Sequence, residues 1–263
     1  MDQPELSVAL AALAAQTCDR LETIVVDSTG RRHRALPSTG LREGHVVRLV
    51  CLDRPLSRAQ AANAGIDAVR GAFYAFLDDD DCAPHHLQRL LDAAANHPDH
   101  LVVYGSTHLL APDGSVERVF ANPFNRAMLY CGPLFFWQAS LIRASVRNLD
   151  CRVEESLEAG EDRDFLAQIA EHSDLAFVRE ATFRYRSDAA ASGTGRGNHR
   201  DDARRLQADA LLRARWAGPR AQSPRARHAL VPPRNRRLYA GCRLSMTNRR
   251  PRHCRGAFGD RVP

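Results

Sequence analysis

The sequence predicts an α/β fold, a mostly parallel sheet with flanking helices, followed by a basic C-terminal tail. Segments of helical and strand character alternate over the first hundred residues, the pattern of strands joined by crossover helices. Two apolar strands end in acids, at Asp27 and at the run Asp78 to Asp81, and in a parallel sheet such ends open on the edge where ligands bind. The charge is also split. Residues 1–190 hold 19 Arg against 27 Asp and Glu, a balance of −8, whereas residues 191–263 hold 18 Arg against 4 acids, a balance of +14. With 263 residues and 44% hydrophobic content the chain can bury a substantial core. The expected organisation is one domain over residues 1–188 and an Arg-, Pro- and Gly-rich tail over 189–263. Within the tail one helix is the most to expect, at 201–216, with disorder elsewhere.

Taken in order, Leu6 to Gln16 is Ala- and Leu-rich with a broad apolar face, a helix that packs on a sheet. Thr23 to Val26 reads as a buried strand ending at Asp27, and Val46 to Leu52 as a second strand after an Arg-, Gly- and Ser-rich loop. Ser57 to Val69 has helical character, with Ser57 as N-cap and Gly71 as stop. Ala72 to Leu77 is a short aromatic-rich strand leading into the Asp run. Pro84 suits the first turn of a helix reaching Asn96, because its missing N–H costs nothing there. Leu101 to Leu110 and Val116 to Phe120, joined through Pro112-Asp113-Gly114-Ser115, form a hairpin. Pro133 to Ile142 is a further apolar segment. Glu161 to Glu171 is a helix whose acidic first turn suits the helix dipole.

Four adjacent carboxylates repel one another, so a run at the lip of a core strand needs a cation or hydrogen-bond donors to offset it. Seven widely spaced Cys without a CxxC pair support neither a zinc site nor a disulfide framework, and they suit a reducing cytosol. The complete absence of Lys reads as a codon bias. No apolar run approaches the roughly 20 residues of a membrane span, and the N-terminus lacks a signal-peptide pattern. The expected location is cytoplasmic, with peripheral contact at the inner face of a membrane open to the basic tail.

Four segments, AALAAQTCDRLETIVVDSTG, LSRAQAANAGIDAVRG, GAFYAFLDDDDCAPHHL and GEDRDFLAQIA, together resemble a family 2 glycosyltransferase of the GT-A fold, a Rossmann-like sheet with flanking helices. The likeness runs over roughly Leu6 to Arg186. It implies that Asp78 is the first Asp of the DxD motif, beside the donor ribose. Asp80 is then the second, coordinating Mn²⁺ or Mg²⁺ on the diphosphate, with Asp81 the next choice for the metal. It implies that Asp162 is the catalytic base of an inverting transfer, that Glu161 helps bind the acceptor, and that Arg58 and Asn63 lie on the donor side. Asn63 has an equal structural reading, satisfying backbone groups in a tight corner. Asp27 matches an acid used at the nucleotide base, although the usual second acid of that motif is Ser28 here. The resemblance also leads one to expect a strand before the first helix, where this chain has only Met1 to Glu5. The domain is therefore expected to be N-terminally truncated and short of one central strand.

The implied donor is a nucleoside diphosphate sugar, such as a UDP-sugar, and the implied acceptor is a glycan, lipid-linked or protein group. Two other readings stand beside it. One is a degenerate family member that binds without turnover. The other is a basic nucleic-acid-binding protein acting through its tail, which is disfavoured because no aromatic interleaving or recognition motif accompanies the charge. A two-metal nuclease or phosphatase is disfavoured too, since the Glu-Asp segment is the only obvious second source of ligands. His199 as a metal ligand, and His85 and His86 as anything but helix-surface residues, are minor options.

Overall fold

The computed structural model describes residues 4–31, 43–77, 81–82, 84–131, 137–186 and 199–216. Helix α1, Pro4–Ala14, precedes strand β1, Leu21–Asp27. This strand pairs in parallel with β2, His45–Cys51, in register from Leu21 opposite His45 to Asp27 opposite Cys51. The pair forms a two-stranded sheet whose apolar Thr23-Ile24-Val25-Val26 stretch helix α2, Arg58–Ala68, covers. Ser57 caps α2 as expected. Its hydroxyl accepts from the Gln60 N–H at 3.2 Å while the Gln60 side chain reaches back to the Ser57 N–H at 3.1 Å, a reciprocal capping box. The helix ends at Val69, two residues before Gly71.

The second sheet has six strands. Its order is β3 (Phe73–Tyr74), β7 (Ser140–Arg143), β5 (Val102–Leu110), β8 (Ala176–Arg186) and β4 (Asp81–Cys82), with β6 (Val116–Phe120) also on β5. The β5–β6 pair is the expected hairpin. The fold class is the predicted α/β one, but pairing is more mixed than a mostly parallel sheet. The pairs β1–β2 and β5–β8 are parallel, whereas β3–β7, β5–β7, β4–β8 and β5–β6 are antiparallel. The physical reason lies in the connections: β7 inserts between β3 and β5, which would otherwise be parallel neighbours, and the hairpin adds its own reversal.

Three local expectations are corrected. The strand expected over Ala72 to Leu77 is ladder-paired only at Phe73 and Tyr74, because the segment ahead of its partner β7 is a short helical turn, Trp137–Ala139, and Phe76 stacks on its Trp137. Helix α3, His86–Asn96, starts two residues after Pro84, which stands in a turn ahead of it. His86 is not a surface residue. It is 3% exposed, with its Nε2 3.1 Å from the Gln138 carbonyl and its ring beside Phe183; His85 is exposed, as expected.

The main core lies between β5, β7, α4 (Arg126–Cys131) and α5 (Glu161–Ala170), where Tyr104, Leu129, Trp137, Ile142, Phe165 and Ile169 are almost fully buried. The helix expected at 201–216 is present as α6, His199–Trp216. It is not a tail element. Leu212 and Trp216 belong to the main core and are 1% and 3% exposed, so the packed part of the chain extends past residue 188 to Trp216. Among the described residues, no helix is long and apolar enough to cross a membrane.

Candidate active site

The site is assembled from four places where an element begins or ends. At the end of β1, Asp27 is 3% exposed, and its Oδ1 accepts from the Thr29 N–H at 2.9 Å and from the Thr29 hydroxyl at 2.7 Å. This is a self-closing turn of the kind Asp favours. Cys51, opposite in the ladder, points its thiol at Oδ2 from 3.9 Å. Burial, and then the Asp27 carboxylate, push that thiol's pKa up. The turn is locked to the next segment: the Ser28 carbonyl accepts from the Leu56 N–H at 2.9 Å. Gly30, at φ +71°, would place a Cβ 2.6 Å from the Arg54 carbonyl carbon. Only glycine fits that close approach, so the end of β1 fixes the entrance to α2.

That entrance presents Arg58. Its Nε lies 3.3 Å from Glu161 Oε1, and its guanidinium sits 5.3 Å above the centre of the Trp137 ring. Trp137 in turn stacks on Phe76, with ring centres 4.0 Å apart and planes 12° from parallel. Phe76 also meets Phe165 of α5 edge-on at 6.4 Å. Phe76 is two residues before the Asp run, and its neighbour Leu77 packs with Ala139 and Phe183. On the far side of the run the backbone of Asp81 pairs with Arg184 of β8. Asp78 and Asp80 lie outside the described residues, as does the side chain of Asp81. Both flanks of the run are held in sheet or core contacts, and a line of contacts, Phe76 to Trp137 to Arg58 to Glu161, joins the earlier flank to the first turn of α5.

In that turn the three acids have different surroundings. Glu161, 5% exposed, faces Arg58. Asp164 is fully buried; its Oδ1 accepts from Trp216 Nε1 at 2.8 Å and lies 3.3 Å from an Arg215 nitrogen, while its Oδ2 accepts from Gln168 at 2.8 Å. Asp162 is half-buried, and its Oδ1 accepts only from the adjacent Arg163 N–H, at 2.7 Å. Among the described residues it is the acid of this turn without a cationic partner. Asn63 is placed apart from these. Its amide donates to the Val153 carbonyl at 2.9 Å and to Glu155 at 3.0 Å, and accepts from the Val153 N–H at 3.0 Å. This is the structural role set beside the donor-side one.

The sequence reading missed Trp137, Phe76 as an aromatic platform, and Asp164. The signal for Asp164 was present in Gly160-Glu161-Asp162-Arg163-Asp164, where two acids two residues apart face opposite sides of a helix turn.

Residues 2–126 match the sequence model of the glycosyl transferase family 2. Over those residues the chain is similar to family 2 glycosyltransferases, and its fold is of the GT-A type. This domain is similar to the succinoglycan biosynthesis protein ExoO of Rhizobium meliloti, at 28% identity over 175 residues, 60% of this chain and 50% of ExoO. It therefore spans about half the length of that relative. Its fold is that of the S. aureus protein TarS. A crystal structure of TarS 1–349 superposes with a TM-score of 0.52 at 17% identity, over 80% of this chain and 61% of that one. The same TarS fragment in complex with UDP gives a TM-score of 0.55 at 14% identity over 79% of this chain and 61% of that one. Its complex with UDP-GlcNAc gives 0.51 at 17% identity, over 70% and 55% of the two chains.

Proposed function

We propose that the protein is an inverting glycosyltransferase that moves a sugar from a nucleoside diphosphate sugar to a glycan or lipid-linked acceptor. The observation that carries this reading is the contact line from Phe76 through Trp137 and Arg58 to Glu161. It sets three separate motifs, the flank of the Asp run, the start of α2 and the start of α5, around one place. UDP is the favoured nucleotide, because the fold is shared with a protein seen in complex with UDP and UDP-GlcNAc.

In this reading Asp27 stands at the nucleotide base and Asp78 beside the ribose, and Arg58 supplies positive charge near the diphosphate. Asp80 and Asp81 would hold Mn²⁺ or Mg²⁺. Their all-oxygen donor set suits a hard cation and not a thiophilic one, and the ion would offset the charge on the departing nucleoside diphosphate. Asp162 takes the proton of the acceptor hydroxyl as its oxygen bonds to the anomeric carbon. The bond from that carbon to the diphosphate breaks, and its electron pair leaves with the nucleotide. Glu161, held by Arg58, borders the acceptor side.

The test is titration calorimetry of the full chain with UDP, GDP, ADP and CDP, with and without Mn²⁺, beside Asp80→Ala. Mn²⁺-dependent binding of one nucleotide that disappears in the variant supports the reading. Folded protein that binds none of the four contradicts it and favours a binding protein without turnover.

A further inference from the structure

Helix α6 grips the turn that carries Glu161 and Asp162, through contacts that neither side needs for the chemistry itself. Residues 160, 163 and 164 share one face of α5, and each meets α6. A Cβ on Gly160, at φ +75°, would fall 2.9 Å from Leu212 Cδ1, so the glycine lets α6 lie directly on the turn. Arg163 pairs with Asp209. Asp164, with no exposure, takes the indole N–H of Trp216 at 2.8 Å, and that ring stacks on Tyr130 at 5.9 Å. The adjoining face, residues 161 and 165, meets Arg58 and Phe76. Asp162 is bracketed in sequence by the two sets of contacts.

We infer that α6 is a clasp for the Asp162 turn, with Trp216 and Asp164 as positioning residues that hold Asp162 in register with the donor site without touching substrate. A buried carboxylate is costly unless its hydrogen bonds are made. Asp164 can therefore sit against α6 only in the rotation that satisfies it, and that rotation is transmitted through one helical turn to Asp162. Misplacement of a reacting group by about 1 Å can cost on the order of 100-fold in rate, so a small slackening of the clasp is visible in turnover before it is visible in folding.

The catalytic part of this inference rests on the transferase reading; the clasp itself does not. The test uses the full chain and two variants. Trp216→Phe keeps the buried ring and removes its N–H, and Asp209→Asn weakens the second tie at the half-buried rim. Hydrogen exchange of the segment 157–166 is compared with that of α3 and β5. The clasp predicts exchange at 157–166 faster by about tenfold or more in Trp216→Phe, less so in Asp209→Asn, with α3 and β5 unchanged. It also predicts kcat for UDP release down by about tenfold or more while the nucleotide Kd stays within about twofold. Unchanged exchange at 157–166 overturns the inference, as does acceleration spread equally over α3 and β5, or loss of kcat and affinity in step. If the unaltered protein neither binds nor turns over a nucleotide sugar, the transferase reading fails and the exchange measurement alone decides the clasp.

Discussion

Asn63 offers a sharp separation between a residue that touches the donor and one that holds the scaffold. Its side chain closes two hydrogen bonds on Val153, a residue only 1% exposed, and one on Glu155. Asn63→Ala leaves the Val153 N–H and carbonyl without partners in a place water reaches poorly. An unsatisfied buried polar group costs about 1–3 kcal/mol. Allowing for one of the two finding water, the expected loss is about 1–3 kcal/mol. At about 2–4 °C per kcal/mol for a domain of this size, that lowers Tm by roughly 2–12 °C. Urea titration followed by circular dichroism reads it as a lower midpoint at constant slope. Glu155→Gln is the control: it keeps an acceptor for Asn63 at an exposed position and should cost below about 0.5 kcal/mol. A midpoint for Asn63→Ala within about 0.5 kcal/mol of the unaltered protein refutes the scaffold role. If that variant also loses nucleotide affinity, Asn63 belongs to the donor site.

Gly30→Ala should be destabilised by about 1–3 kcal/mol, because the added Cβ meets the Arg54 and Pro55 backbone at 2.6 and 2.7 Å and φ is +71°; thermal unfolding reads it. Arg58→Ala should cost about 1–3 kcal/mol, because the Glu161 carboxylate it faces is only 6% exposed, and should reduce nucleotide affinity by about tenfold or more in calorimetry. Arg152 beside Asp67 holds that carboxyl below its ordinary value. The contribution of the pair to stability is therefore complete at neutral pH and is lost as pH falls from about 5 through the lowered value. Both groups are substantially exposed, so Asp67→Asn should differ from the unaltered protein by no more than about 0.5 kcal/mol at pH 7 and converge with it in acid. Burial pushes the Cys151 thiol up to about 11, and alkylation at pH 8 should leave it unreacted while a free thiol of ordinary pKa is consumed.

Much of the fold is legible because its signals are local. The Ser57 capping box, the hairpin around Gly114 at φ +82° and the acidic start of α5 follow from residues within a few positions of one another. Pairing direction is not local, since only the whole topology decides that β7 runs between β3 and β5. The early end of β3 has the same origin: nothing near Phe76 in the sequence announces Trp137, 61 positions on. In α6 the buried positions Ala208, Leu212 and Trp216 recur every fourth residue, but Leu206 and Leu211 are exposed and several Arg intervene, so the packed stripe is diluted below recognition. At the site, the position of Asp27 at the end of β1 and of Glu161 and Asp162 in the first turn of α5 was readable from the sequence. The division of labour among Glu161, Asp162 and Asp164 was not, because it depends on which helix lies against each face of one turn.

The most direct test of the transferase reading is release of free nucleotide from a panel of UDP-, GDP-, ADP- and CDP-sugars by the full chain, beside Asp162→Asn. Turnover of at least one donor that falls about 100-fold or more in the variant, at an unchanged nucleotide Kd, is the expected result. Equal turnover in both proteins, or none with any donor by folded protein, contradicts it.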